Sequence, residues 1–192
     1  MIDSKNITGI ILSGGKSTRM GTDKGFLLYK GKLFTQYSIE ALKPLVSDIM
    51  IVSNNSDYDA FGLKRVNDVI ENAGPLAGLY SGLNKSRTDY NLVLSCDIPL
   101  IHSGILKLLI NAVDDVSEVL QIESNHKTMP LIALYKTSCK DKFHELLKNG
   151  ERRLRVAVNA CKVKHITLDS ENGFHTMNIN TPEELKTIEN AN

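Results

Sequence analysis

The stretch ILSGGKSTRMGTDKGFL, Ile11 to Leu27, places four glycines (Gly14, Gly15, Gly21, Gly25) and three cations (Lys16, Arg19, Lys24) after a short apolar run. Glycines let a backbone take positive φ and approach a ligand closely. Successive backbone N–H groups in such a loop form an anion nest. Arg19 offers a planar fork to phosphate oxygens, and Lys24 offers a point charge. The loop therefore reads as the seat of a phosphate-bearing ligand. The competing reading is a solvated glycine turn with incidental charges.

Two familiar phosphate motifs are excluded by spacing. A P-loop needs G-x-x-x-x-G-K-[ST], but Ile10 stands where the first glycine must be. Gly21 also interrupts the helix that should begin at the lysine. The dinucleotide pattern G-x-G-x-x-G fails because Lys16 occupies the place of its second glycine.

A second chemical position is Asp97, at the end of the apolar run YNLVLSCDIPLI and just before Pro99. A carboxylate at a buried strand end is costly unless it is partnered. Mg²⁺ is a hard cation that takes one or two carboxylates plus phosphate oxygens, so Asp97 is a candidate metal ligand. The alternative is an aspartate that caps the next turn. Asp68 closes the run LKRVND in a similar way, where a turn aspartate is common. Asn178 and Asn180 alternate in MNIN and so share one face of an expected strand. Arg152, Arg153 and Arg155 cluster in GERRLRVAV, a docking surface or a solvated basic face. The five histidines show no ligand spacing.

The elements that must hold these residues alternate. Strands are expected at ITGIILS, DIMIVSN, LKRVNDV, YNLVLSCDIPLI, MPLIALY, KVKHITL and FHTMNIN. Helices are expected at FTQYSIEALKPL, GPLAGLYSGLNKS, SGILKLLINAV, CKDKFHELLKN, RRLRVAVNA and TPEELKTIEN. In the last, Thr181, Pro182 and Glu184 form a capping box. The alternation predicts an α/β fold, a Rossmann-like, mostly parallel sheet with helices on both faces, in one domain spanning 1–192. In such sheets ligands sit at the carboxyl ends of strands, where the LSGG loop and Cys96-Asp97 lie.

The net charge of +1 argues against bulk binding to nucleic acid or to a membrane surface. No apolar run approaches the ~20 residues of a membrane span, and the N-terminus lacks the apolar core of a signal peptide. Three widely spaced cysteines without a C-x-x-C pair suggest buried free thiols in a reducing cytoplasm, not zinc or disulfides.

The pattern L-x-G-G-x-S-x-R-M-G-x-D-K, followed in order by GPLAGL, LSCDIPLI, MPLIALY, NGERRLR and NINTPEEL, resembles the MobA family of molybdenum cofactor guanylyltransferases nearly end to end. The resemblance implies transfer of GMP from GTP to Mo-molybdopterin with release of pyrophosphate. It implies that Leu12, Ser13, Gly14 and Gly15 meet the base and phosphates and that Lys24 pairs with the phosphates. Asp68 would contact the nucleotide, and Asp97 would hold Mg²⁺. Either Asn54 or Asn55 matches the family's asparagine after the second strand. Ser13 stands where alanine is more usual. Arg152, Arg153, Asn178 and Asn180 would serve the acceptor. Arg19, Lys24 and Asp97 would neutralise charge during transfer. Which delivery proteins and molybdoenzymes act as partners stays open. Two alternatives remain: a cytidylyltransferase or other nucleotidyltransferase of the same fold, and a cofactor-binding adaptor without turnover.

Overall fold

A computed structural model describes residues 2–14, 23–70 and 73–190. Gly15 and Arg19, with the rest of 15–22, lie outside the described residues.

The chain runs β1 (Ile7–Leu12), β2 (Leu28–Tyr29), β3 (Lys32–Leu33), α1 (Phe34–Leu42), β4 (Asp48–Val52) and β5 (Lys64–Val66). It continues through α2 (Gly74–Lys85), β6 (Tyr90–Ser95), α3 (Ser103–Asn111), β7 (Val119–Ser124), β8 (Lys127–Lys136), α4 (Cys139–Lys148) and α5 (Leu154–Asn159). It ends with β9 (Val163–Thr167), α6 (Ser170–Gly173) and α7 (Pro182–Asn190). Seven strands form one sheet in the order β5-β4-β1-β6-β8-β7-β9. All pairings are parallel except those of β8, which runs against both β6 and β7. The expected mostly parallel sheet is therefore present, with one reversed strand.

Alternation along each strand divides the core in two. Ile7, Ile11, Ile49, Ile51, Leu92 and Leu94 face α1 and α3. Ile10, Leu12, Met50, Val52 and Val93 face α2, α4 and α5. The central strands β1, β4 and β6 are apolar on both sides, as buried parallel strands must be.

Three details depart from the sequence reading. First, β7 is an additional strand, VLQIES. Its alternate polar residues, among them the buried Gln121, weaken the apolar signal. Second, Asn125 and His126 both take positive φ (49° and 58°) and close a two-residue hairpin, which reverses β8. Third, MNIN is not a ladder strand. It follows a 3-10 turn at Phe174–Thr176 and meets the end of β6 through the bond from Ile179 N to Asp97 O (2.8 Å). The next two N–H groups, of Asn180 and Thr181, donate to Glu184 Oε2, and Glu184 N donates to Thr181 Oγ1. The expected capping box thus takes the groups a ladder would need.

Candidate active site

The carboxyl ends of β1, β4 and β6 converge. Ser13 N donates to Val52 O (3.0 Å), and Cys96 N donates to Leu12 O (3.1 Å), so the three strand ends are tied together. At Gly14 the chain turns with φ of +112°, a conformation that side chains rarely adopt. Beyond it lies a cavity of about 460 Å³ whose walls include Leu12, Ser13, Gly14, Asn54, Asn55 and Asp68. Leu12, Ser13, Gly14 and Asp68, expected at a nucleotide, share this one space with both Asn54 and Asn55, the two alternatives for the asparagine.

The two asparagines have different tasks. Asn54 Oδ1 accepts the Asp68 N–H (2.9 Å) and braces that loop. Asn55 caps the 3-10 helix Ser56–Phe61 and donates from Nδ2 to Asp23 Oδ2 (3.5 Å). Asp68 is half-buried, and burial pushes its carboxyl above the usual range. A Cβ on Gly78 of α2 would stand 3.2 Å from Asp68 Oδ1, so the GPLAGL helix approaches this carboxylate closely.

Asp97 sits past the end of β6 and is partnered on both oxygens. Lys24 Nζ donates to Oδ2 (3.0 Å), and Asn178 Nδ2 donates to Oδ1 (2.9 Å). Lys24 also donates to Asn180 Oδ1. The Lys24 and Asp97 side chains are only 20% and 11% exposed, so this is a largely desolvated ion pair with hydrogen-bonded neighbours. Four candidate residues from three distant parts of the chain thus form one cluster. The shared face expected of Asn178 and Asn180 is realised, although on an extended segment.

A second cavity, of about 530 Å³, lies beside the first. Its floor is apolar, with Ile98, Met129, Leu131 and Leu154, and Arg153, Arg155 and Lys127 stand among its lining residues. Pro75 and Leu131 line both cavities. Asn178 lines the second cavity, and Ser95, two residues before Asp97, lines the first. Lys24 and Asp97 line neither cavity themselves; Asp23, next to Lys24, lines the first, and Ile98 and Asn178, next to and bonded to Asp97, line the second.

The arginines divide. Arg152 turns away and donates to Leu147 O (2.8 Å) and Glu151 O (2.9 Å), closing the end of α4. Arg153 grips Glu151 with two bonds (2.9 and 2.6 Å), and its guanidinium, with backbone N–H donors, holds the Glu151 carboxyl down at about 2. Of the two arginines expected at the acceptor, Arg153 lines the second cavity with Arg155, while Arg152 bonds the carbonyls of Leu147 and Glu151. Asp23, which touches Gly25, Tyr58 and Asn55, received no role in the sequence reading. Its position in M-G-x-D-K was the available signal.

Among the described residues no group of three or more His, Cys, Asp or Glu side chains is placed to hold a metal by itself. His102 and His175 meet edge to face (4.9 Å), and His165 reaches Gln121 (3.0 Å) and Glu123 (3.4 Å). The three cysteines are free; Cys96 is buried, and that burial pushes its thiol up to about 12. No helix among the described residues is long and apolar enough to cross a membrane.

A cavity at the carboxyl ends of parallel strands with an adjoining groove is where open α/β sheets take their ligands, and the class here is that of the nucleotidyltransferases. Residues 9–164 match the MobA-like NTP transferase domain, and the chain belongs to that family. It is 33% identical over 186 residues, covering 96% of the chain and 97% of the relative, to a Flavobacterium johnsoniae protein named "Probable molybdenum cofactor guanylyltransferase". It is 32% identical over 181 residues, 92% of both chains, to the molybdenum cofactor guanylyltransferase of Yersinia pseudotuberculosis. The molybdopterin-guanine dinucleotide biosynthesis protein A of Archaeoglobus fulgidus superposes with a TM-score of 0.79 at 22% identity, covering 96% of this chain and 97% of that one. A 4-diphosphocytidyl-2C-methyl-D-erythritol synthase from Anaerococcus prevotii reaches 0.78 at 13% identity, covering 99% of this chain and 97% of that one, and so shares the fold.

Proposed function

We propose that this chain transfers GMP from GTP to the phosphate of Mo-molybdopterin, releasing pyrophosphate and the guanine dinucleotide cofactor. The observation that supports the reading is the Lys24–Asp97–Asn178–Asn180 cluster, whose chain neighbours Asp23 and Ser95 line the cavity at Gly14 while Asn178 lines the groove that carries Arg153 and Arg155. The named relatives favour this acceptor and base over the cytidylyl alternative.

Attack of an acceptor phosphate oxygen on the α-phosphorus of GTP needs in-line positioning and charge neutralisation more than covalent help. The cavity at Gly14 would hold the nucleotide, with Lys24 beside its phosphates. Arg153 and Arg155 would receive the acceptor's anionic end, while the apolar floor takes its ring system. Asn178 and Asn180 hold Asp97 and Lys24 in register between the two. Arg19 would add a further cation from the glycine loop. Asp97 is the one carboxylate of the cluster, which with phosphate oxygens is a set Mg²⁺ accepts; the ion would take the place on Asp97 Oδ2 that the Lys24 ammonium holds here. Bound there, Mg²⁺ would neutralise phosphate charge. The product would pass to cofactor delivery proteins or molybdoenzymes in the cytoplasm.

Thermal melting with Mg²⁺ and each nucleotide tests the base. GTP at a hundredfold excess over its Kd adds about 2.7 kcal/mol, a rise on the order of 5–10 °C for a chain of this size. CTP, ATP and UTP are expected to give smaller rises; equal rises with GTP and CTP would remove the guanylyl assignment.

The arginines are tested separately. Arg153→Ala with Arg155→Ala is expected to raise the acceptor KM by on the order of tenfold or more, since charge-assisted bonds are lost. The GTP-induced melting shift should stay as it was. Unchanged turnover at limiting acceptor would make this face a solvated one.

A further inference from the structure

We infer that Tyr58 is a positioning residue for Lys24: its buried hydroxyl, acting through Asp23, fixes the short turn from which the lysine reaches Asp97. The inference rests on the proposed role of Lys24 in GMP transfer.

Tyr58 is fully buried in the 3-10 helix Ser56–Phe61. Its ring lies 4.7 Å from that of Phe26 and 5.9 Å from that of Phe61, contacts any core aromatic makes. The hydroxyl does something else. It donates to Asp23 Oδ1 at 2.7 Å. The same oxygen accepts the Gly25 N–H at 3.1 Å and so caps the 3-10 turn Lys24–Phe26. Asn55, the cap of the Tyr58 helix, donates to the other Asp23 oxygen. From the opposite side, Thr35 Oγ1 of α1 donates to Gly25 O at 3.0 Å.

Lys24 is thus flanked by residues bonded on both sides. Its long side chain has several free torsions, so the ammonium is precisely placed only if the root of the side chain is held. Burial above all, then the neighbouring Cys96 and Asp23, raises the Tyr58 phenol far beyond its usual range, so it stays a donor at any working pH. Asp23 also lines the cavity at Gly14, so the residue that caps the lysine turn is itself part of the proposed nucleotide site. A structural role for the ring explains the contacts with Phe26 and Phe61; it does not require a hydroxyl aimed at the cap of the lysine turn.

A double-mutant cycle of Tyr58→Phe and Lys24→Ala, read by pyrophosphate release and by melting, tests this. Tyr58→Phe keeps the ring and should fold. Its kcat should fall about tenfold, with the KM for GTP within about twofold, because a misplaced lysine costs orientation in the transition state. In the Lys24→Ala background the same change should alter kcat by less than about twofold. Wild-type kcat in Tyr58→Phe, or an equal loss in both backgrounds, overturns the inference while leaving Lys24 in its role. Wild-type turnover in Lys24→Ala removes that role and the inference with it. Should Tyr58→Phe fail to fold, Thr35→Val removes the bond to Gly25 O from the other side. It is expected to show the same dependence on Lys24, and independence there overturns the inference equally.

Discussion

Replacing Asp97 by asparagine is expected to leave the chain folded and to lower turnover by on the order of 10²–10³, a loss of about 3–4 kcal/mol of transition-state stabilisation. The geometry explains both halves. Asparagine keeps the size of Asp97 and can still satisfy one neighbour, but not two. If its oxygen faces Asn178 Nδ2, its amide N–H groups face the Lys24 ammonium; the opposite rotamer sets two amides against each other. Lys24 retains Asn180, and a cost of about 1–3 kcal/mol does not unfold a typical domain. GTP binding measured without metal should stay or improve, because a negative charge near the phosphates has gone. The increment in GTP binding that Mg²⁺ adds should shrink. Isothermal titration with and without Mg²⁺, beside pyrophosphate release, separates these effects. Near-wild-type turnover with full metal dependence would make Asp97 a turn residue only.

Gly25→Ala is expected to lower activity by about 10² or more and to lower the melting temperature as well. The reason is space, since the Gly25 backbone is not in the left-handed region that favours glycine. A Cβ there would stand 2.1 Å from the Tyr58 hydroxyl and 2.6 Å from Thr35 Oγ1. Both neighbours are buried and bonded, so neither can swing clear. Overpacking of this kind costs about 1–3 kcal/mol. The turn has to move, and Lys24 moves with it; a shift on the order of 1 Å at a reacting group costs about 10²-fold. The KM for GTP should change less than kcat. A variant with wild-type kcat would show that the turn tolerates displacement and that the Lys24 position is not tightly set.

The central strands were legible because their signal is local. β1, β4 and β6 are short apolar runs that end at turn residues, and being buried on both faces leaves them little choice of composition. The glycine loop after β1, the Pro75 start of α2 and the capping box at Thr181–Glu184 are also written within a few residues. So is the separation of this loop from P-loops and dinucleotide fingerprints, which is a matter of spacing alone. From these alone follow an α/β fold, the expectation of a phosphate-bearing ligand at the strand ends and, with the ordered motifs, the family.

Tertiary structure alone decided the rest. Lys24 meets Asp97 across 73 residues and Asn180 across 156, and no local pattern encodes such a meeting. The segment expected as a last strand is held instead by one backbone bond and by Glu184, because its N–H groups find a nearer acceptor. β8 runs backward because Asn125 and His126 close a hairpin. Arg152 and Arg153 are neighbours of the same charge, yet one bonds the carbonyls of Leu147 and Glu151 at and just past the end of α4 and the other lines the groove. Gly25 reads in sequence as loop flexibility and proves to be a demand for space, set by a tyrosine and a threonine from two other elements. Identical local chemistry takes different roles when long-range packing decides which partner lies within about 3 Å, the reach of a hydrogen bond.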